Sequence, residues 1–297
     1  MLVIGLFGPT ASGKSDVAAA AAELIPAEVV SADAMQVYDG VPILTNRSSM
    51  PERLVGIWPL SHVASVGEYA PLAHAAVDEI LETGRTPLVV GGTGLYFRAA
   101  LAELELPPAP APGARERWER IYDDDGQAVA HVRLEELDPA AAARIHPNDR
   151  RRVVRALELA EAGRSLVPLA DALFGGAWRH PTVLVGLDVP KPELERRIAE
   201  RTRRMFEAGV EHEVRNVLRT EPSPTARKII GLDEVATLPR EEAIEALIVR
   251  TRRYAAYQRK WLRRLEGLVI VAADRSPEET AAEIVALART RKHLSRP

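Results

Sequence analysis

Between Gly8 and Ser15 the chain reads GPTASGKS, and this octapeptide restricts the possible folds more than any other stretch. Gly8-x-x-x-x-Gly13-Lys14-Ser15 is the pattern of a loop whose backbone amides surround phosphate oxygens. Glycine at 8 and 13 permits the turn and the close approach of backbone to an anion. The amides of Thr10, Ala11, Ser12 and Gly13 are then candidates to hold the anion. Lys14 adds a positive charge at its terminal phosphate, and the Ser15 hydroxyl is a candidate ligand for Mg²⁺. Such a loop needs a buried strand before it and a helix after it, whose free amides and dipole also favour an anion. Both are present in the pattern: Leu2 to Phe7 is an apolar run, and Asp16 to Ile25 is alanine-rich until Pro26 stops it.

The same alternation continues. Glu28 to Ser31 reads as a second strand with Asp33 just beyond its end, and residues 39 to 66 are broken by Pro42, Pro51 and Pro59. Glu68 to Thr83 has a helical pattern closed by Gly84, and Pro87 to Val90 is a third strand ending in Gly91-Gly92-Thr93-Gly94 before another helix. The expected class is therefore α/β, a P-loop NTPase-like doubly wound parallel sheet. At Leu106 the character changes. PPAPAPG (107–113) reads as a stiff linker, followed by charged helical segments to roughly Ala172 without a strand. Apolar runs return at Thr182 to Leu187 and Leu268 to Val271, with long arginine-rich helices expected at about 193–219 and 240–265. This divides the chain into a first core part (1–112), a helical insertion (113–181) and a second core part (182–297), with a frayed tail from Arg291.

The formal net charge of −3 would not by itself suggest a nucleic-acid partner, but its distribution does. Arg144, His146, Arg150, Arg151, Arg152 and Arg155 form one basic cluster; Arg196, Arg197, Arg201, Arg203 and Arg204 form a second; a third runs from Arg250 to Arg264. Such stripes suit an RNA footprint, and equally suit solvated helix faces carrying internal ion pairs. With no cysteine, disulfides, thiolate catalysis and cysteine-bound zinc are excluded. No apolar run is long enough to cross a bilayer, and MLVIGLFG lacks the basic lead and cleavage site of a signal peptide, so a cytoplasmic protein is expected.

The loop alone does not say which phosphate is bound. An ATP-dependent kinase would usually end its third strand in a metal-binding Asp, whereas here glycines and Thr93 stand there. The acid is Asp33, at the carboxyl edge of the second strand, where ligands lie in open parallel sheets. It is placed to bind metal through water, to act as a base, or to cap the following turn.

These residues resemble the tRNA dimethylallyltransferase (tRNA isopentenyltransferase) family over nearly the whole chain. The likeness rests on GPTASGKS (8–15), Ser31-Ala32-Asp33-Ala34-Met35-Gln36-Val37-Tyr38, PLVVGGTGLYFRA from Pro87, LDPAAAARIHPNDRRRVVRALEL (137–159) and RTRRMFEAGVEHEV (201–214). Ile230-Gly231-Leu232-Asp233-Glu234 and the helix from Thr251-Arg252 to Trp261 complete it. The resemblance implies transfer of a dimethylallyl group from dimethylallyl diphosphate to the exocyclic amine of the adenine 3′ of the anticodon in tRNA, with release of pyrophosphate. It implies Asp33 and Thr93 as catalytic residues, and Gly8, Thr10, Ala11, Ser12, Gly13, Lys14 and Ser15 around the diphosphate, with Mg²⁺ on Ser15. Asp33, Ala34, Met35, Gln36, Thr93, Arg115, Arg151, Arg152 and Arg155 match positions that meet the anticodon stem-loop. Arg151 and Arg155 share a helix face, with Glu158 or Glu161 as alternative partners.

The chain departs from the family at Leu44-Thr45-Asn46-Arg47, Gly56, Ala256-Tyr257 and Lys260, and Arg47, Arg259 and Lys260 are candidates to restore the lost charge. A P-loop small-molecule or nucleoside kinase is the alternative enzyme, and an inactive RNA-binding module the alternative of another class. The histidines show no ligand spacing, and His146 within IHPND is expected to be structural. Trp118 and Trp178 suit core packing or base stacking. A monomer is expected.

Overall fold

The computed structural model describes residues 2–104, 106, 111–167 and 177–294. The first strand, β1 (Val3–Phe7), leads through the glycine loop into α1 (Lys14–Leu24), and β2 (Ala27–Ser31) follows. A two-residue strand β3 (Glu52–Arg53), α2 (Val66–Glu82), β4 (Thr86–Gly91) and α3 (Gly94–Leu101) come next. Helices α4 (Ala114–Arg120), α5 (Gln127–Leu137), α6 (Pro139–Ala142) and α7 (Arg150–Glu161) follow, with a π-helical turn at Ile121–Asp125. Then come β5 (Thr182–Asp188), α8 (Lys191–Glu207), α9 (Val210–Leu218), α10 (Leu232–Thr237), α11 (Arg240–Leu262), β6 (Val269–Ala272) and α12 (Pro277–Leu294).

The chain divides into two units, one of Met1–Ala102 with Trp178–Pro297 and one of Glu103–Ala177. In the first, six strands make one sheet in the order β3-β2-β4-β1-β5-β6, with every pairing parallel. Such a sheet must be covered on both faces. Alternate residues of β1 show how this happens. Ile4 and Leu6 join the core built with Val17, Ala18 and Ala21 of α1 and Ile284 and Val285 of α12. Phe7 on the other face meets Phe97 of α3 edge-on, with ring centroids 5.2 Å apart. Both phenylalanines are fully buried, each contributing about 1.5–3 kcal/mol.

Parallel strands bring their carboxyl ends to one edge. The loop after β1, Asp33 after β2 and Gly92-Thr93 after β4 are thereby gathered from three separate stretches of sequence. The glycines after β4 are required by close approach. A Cβ on Gly92 would strike the Gln258 amide, and one on Gly94 would enter the indole of Trp261, so α11 can press against this loop.

Three expected elements are corrected. The helix read at about 193–219 is two, because Gly209 adopts φ 89°, a left-handed conformation that ends α8 and caps α9. Residues 39 to 66 contain the edge strand β3, too short to show a periodicity. The tail from Arg291 remains helical to Leu294 as the end of α12, an amphipathic element whose Thr280, Ala281 and Ile284 are buried. The linker positions 107–110, the insertion positions 168–172 and the last three residues lie outside the described residues.

The second unit, among its described residues, is entirely helical. Its core joins Ala130 and Leu134 of α5 to Val153, Ala156 and Leu157 of α7, with Trp118 packed beside them. The IHPND turn is local scaffolding. The His146 imidazole accepts from Asn148 N–H at 3.1 Å, and the Asp149 carboxylate caps α7 by accepting from Arg152 N–H. Trp178 belongs to the first unit, where the Arg98 guanidinium lies 4.3 Å from its ring centroid. Among the described residues no helix is long and apolar enough to cross a membrane.

Candidate active site

The glycine loop is shaped by two left-handed residues, Ala11 (φ 63°) and Gly13 (φ 86°). Gly13 tolerates this conformation, whereas Ala11 carries strain of order 1–2 kcal/mol that the loop's other contacts must offset. Ser12 N–H closes the turn on Pro9 carbonyl at 3.2 Å, and Gly8 N–H ties it to Gly91 carbonyl at 3.3 Å. Gly13 caps α1 without a side chain, so no side-chain acceptor occupies the amides at the helix start. The Lys14 ammonium folds back along the loop and donates to the carbonyls of Gly8 (2.9 Å) and Pro9 (2.7 Å). Burial pushes this lysine down to about 8, with the Arg201 charge acting in the same direction and Asp33 opposing it.

Asp33 sits in a short turn in which its carboxylate accepts from Met35 N–H at 2.8 Å. The segment around it is held from three sides. The Tyr69 hydroxyl donates to Ser31 carbonyl (2.8 Å), the Ser31 hydroxyl donates to Gln36 Oε1 (2.7 Å), and Gln36 Nε2 donates to Thr45 carbonyl (3.3 Å). Thr93 Oγ accepts from Ala34 N–H at 3.3 Å and lies 3.3 Å from the Tyr254 hydroxyl. Burial raises the Tyr254 phenol, so it is a neutral partner at physiological pH.

One cavity of about 720 Å³ joins these parts. Thr10 to Ser15, Asp33 and Gln36 line it, while Gly8, Ala34, Met35 and Thr93 are not among the described lining residues. The lining also includes Arg197, Arg201 and Arg204, spaced i, i+4, i+7 on α8. Together with Lys14, Arg47 and Arg275 they give six basic side chains against the three carboxylates Asp16, Asp33 and Glu52. The Arg201 Nε and the Ser12 hydroxyl are buried there without a hydrogen-bond partner among the described residues. Buried orphaned donors are costly unless something accepts from them, and with the excess of basic side chains they suit an anion.

The arginine cluster at 196–204 therefore divides by helix face. Arg196 pairs with Glu193 and Glu200, and Arg203 with Glu245, while Arg197 lines the cavity and also pairs with Glu193 at 2.7 Å. The spacing of 197, 201 and 204 was visible in the sequence as one stripe of α8, but nothing there said what it faced. Two further residues are apparent only in the structure. Gln258 is buried against the loop, and the Glu213 carboxylate accepts from the N–H groups of Ile43 and Leu44, both at 2.8 Å. Burial raises the Glu213 carboxyl, an effect that these two bonds oppose. Glu213 thereby holds the wall of the cavity formed by Pro42 to Arg47. We predict that Glu213→Ala, which strands two amides at about 1–3 kcal/mol each, lowers the thermal midpoint by several degrees; an unchanged melting curve would exclude this anchoring role.

Of the residues expected to restore charge, Arg47 lines the cavity, whereas Arg259 is bound to Asp188 at 2.6 Å. In the second unit, Arg115 and Arg155 converge on Glu158, whose side chain is fully buried, each at 2.6 Å. Arg152 pairs with Asp149 at 3.6 Å, and Arg151 is exposed. Of the two alternative partners for the α7 arginines, Glu158 is the one used, and Glu161 pairs with Arg117.

The family model described as IPP transferase matches residues 36–265. A tRNA dimethylallyltransferase of Thermobifida fusca is 39% identical over 280 residues, covering 88% of this chain and 87% of the relative. The full-length tRNA isopentenylpyrophosphate transferase of Bacillus halodurans superposes with a TM-score of 0.69 at 30% identity, covering 98% of each chain. A eukaryotic dimethylallyltransferase, crystallised in the course of acting on tRNA, superposes with a TM-score of 0.81 at 26% identity, covering all of this chain and 80% of that one. The chain that gathers a glycine loop, an acid and a stripe of arginines around one cavity matches these enzymes nearly from end to end, and it belongs to the tRNA dimethylallyltransferase family.

Proposed function

We propose that this protein transfers a dimethylallyl group from dimethylallyl diphosphate to the exocyclic amine of the adenine 3′ of the anticodon in tRNA. The observation that carries the proposal is the cavity whose lining brings Lys14 and Ser15 together with Asp33 and a row of arginines. In this reading the P-loop NTPase-like core holds a leaving group in place of a transferred phosphoryl group.

The step balances as a substitution. The allylic C–O bond breaks with its electron pair going to pyrophosphate, the adenine amine forms the new C–N bond, and the amine proton passes to the Asp33 carboxylate. The loop amides, Lys14, Arg197 and Arg201 stabilise the charge that grows on the diphosphate. The orphaned Ser12 hydroxyl and Arg201 Nε gain acceptors when it binds. Thr93, fixed through Ala34 and Tyr254, stands beside the acid to orient the amine. Gln36, Ala34 and Met35 supply the rest of that acceptor side.

The donor set of the cavity fits Mg²⁺. Ser15 and Asp33 offer hard oxygens, and no group of three His, Cys, Asp or Glu side chains forms a dedicated cage among the described residues. Ser15 would hold the ion together with diphosphate oxygens, and its chemistry there is neutralisation of leaving-group charge. The adenine must leave its stack to reach Asp33, which single-stranded anticodon loops permit. In the second unit, the exposed guanidiniums of Arg151 and Arg152 are the phosphate contacts. Arg115 and Arg155 hold that helix in place through Glu158.

The test is incubation with labelled dimethylallyl diphosphate and unmodified tRNA. Label is expected in the RNA. ATP hydrolysis without prenyl transfer would overturn the transferase reading.

A further inference from the structure

We infer that Gln258 is a positioning residue that sets the donor loop against the acceptor loop, an inference that rests on the transferase reading above. It stands on α11 and is 2% exposed. Its Oε1 accepts from the backbone N–H of Thr10 at 2.8 Å, and its Nε2 donates to the carbonyl of Gly92 at 3.0 Å. The partners admit one orientation of the amide, since one is a donor only and the other an acceptor only. Thr10 opens the turn that surrounds the diphosphate. Gly92 precedes Thr93, whose hydroxyl accepts from Ala34 N–H next to Asp33. One side chain therefore bridges the two loops that present the two substrates.

The neighbours on the same face of α11 support this role. Tyr254, one turn earlier, lies 3.3 Å from the Thr93 hydroxyl. Trp261, three residues later, lies against Gly94. The absence of a Cβ at Gly92 makes room for the Gln258 amide. The β1–β4 ladder reaches Phe7 and Gly91, and the backbone bond that follows it, from Gly8 N–H to Gly91 carbonyl, is long at 3.3 Å, so the shorter bonds of Gln258 extend the registration past the strand ends. Gln258 also lines the cavity, with a second N–H and a second Oε1 lone pair beyond these two bonds, so pyrophosphate and tRNA affinities are the readouts that separate positioning from substrate contact.

Small displacements of reacting groups cost about 10²-fold in rate, and that sets the expected result. Gln258→Met keeps the volume and removes both bonds. Its single-turnover transfer rate is expected to fall about 10²-fold, while its affinities for inorganic pyrophosphate and for tRNA change less than about 5-fold. Gln258→Glu supplies a test that survives poor folding of the first variant. A protonated carboxyl reproduces both bonds, whereas a carboxylate cannot donate to Gly92. Its rate relative to the unmodified enzyme at the same pH should therefore rise as pH falls, while the same ratio for Gln258→Met stays flat. The inference is overturned if Gln258→Met transfers at the normal rate, if its pyrophosphate affinity falls in step with its rate, or if the Gln258→Glu ratio ignores pH. If the unmodified enzyme itself transfers no prenyl group, it is the transferase reading that fails.

Discussion

Asp33→Asn is expected to reduce prenyl transfer about 10³- to 10⁴-fold, the upper range for loss of a general base, while tRNA still binds with nearly unchanged affinity. Asparagine is the informative substitution because its Oδ1 can still accept from Met35 N–H, the 2.8 Å bond that shapes this turn. The adjoining network through Ser31, Gln36 and Tyr69 does not involve the carboxylate and is left in place. What is lost is the capacity to take the amine proton. Asp33→Ala removes the turn bond as well and should be no more active. Single-turnover transfer and a gel-shift titration separate the two effects. Transfer at the normal rate by Asp33→Asn would remove Asp33 as the base.

Replacement of Lys14 by methionine should lower transfer about 10²- to 10³-fold, the size of effect seen when one preorganised charge-stabilising donor is removed. It should also weaken inorganic pyrophosphate as an inhibitor. Lys14 has two functions that the variant removes together. It ties the loop through Gly8 and Pro9 carbonyls, and it supplies charge to the leaving group. A pH series separates them. In the free enzyme burial pushes Lys14 down to about 8, so the ammonium is present below that pH and lost above it. Pyrophosphate affinity should therefore decline as pH rises through about 8, a decline that Lys14→Met lacks. The sign for stability is opposite. Between about 8 and the ordinary lysine value the unfolded chain holds the extra proton, so this group's contribution to folding stability rises with pH across that window. A bound diphosphate, by favouring the charged form, shifts the titration upward. A flat affinity profile from pH 7 to 9.5 would show that the ammonium is not a ligand.

How much was legible in the sequence follows from the range of the forces involved. β1, β2, β4 and β5 are short apolar runs bounded by glycine, proline or polar residues, and each was readable because burial on both faces leaves a continuous run. The break at Gly209 was not readable, because only its left-handed φ separates α8 from α9, and glycine is also tolerated inside helices. β3 was missed because two residues paired at the edge of a sheet carry no period. Arg197, Arg201 and Arg204 were seen as charge, and the opposite expectation of a solvated face was equally consistent with their sequence. Arg196 does behave that way, and Arg197, which lines the cavity, shares its Glu193 partner.

What the sequence determined by itself is the local chemistry of the glycine loop, whose spacing of glycine, lysine and serine depends on backbone freedom and on the helix that follows. The resemblance carried by Asp33 and its flanking motif also came from residues close together in the chain. The tertiary structure alone decided which distant groups meet them. It turned one stripe of α8 toward the loop, set Glu213 under the wall at Ile43 and Leu44, and placed Gln258 between Thr10 and Gly92, 248 and 166 residues away. Those meetings depend on how helices pack over the parallel sheet. Contacts of that range leave no spacing in the sequence from which they could be read.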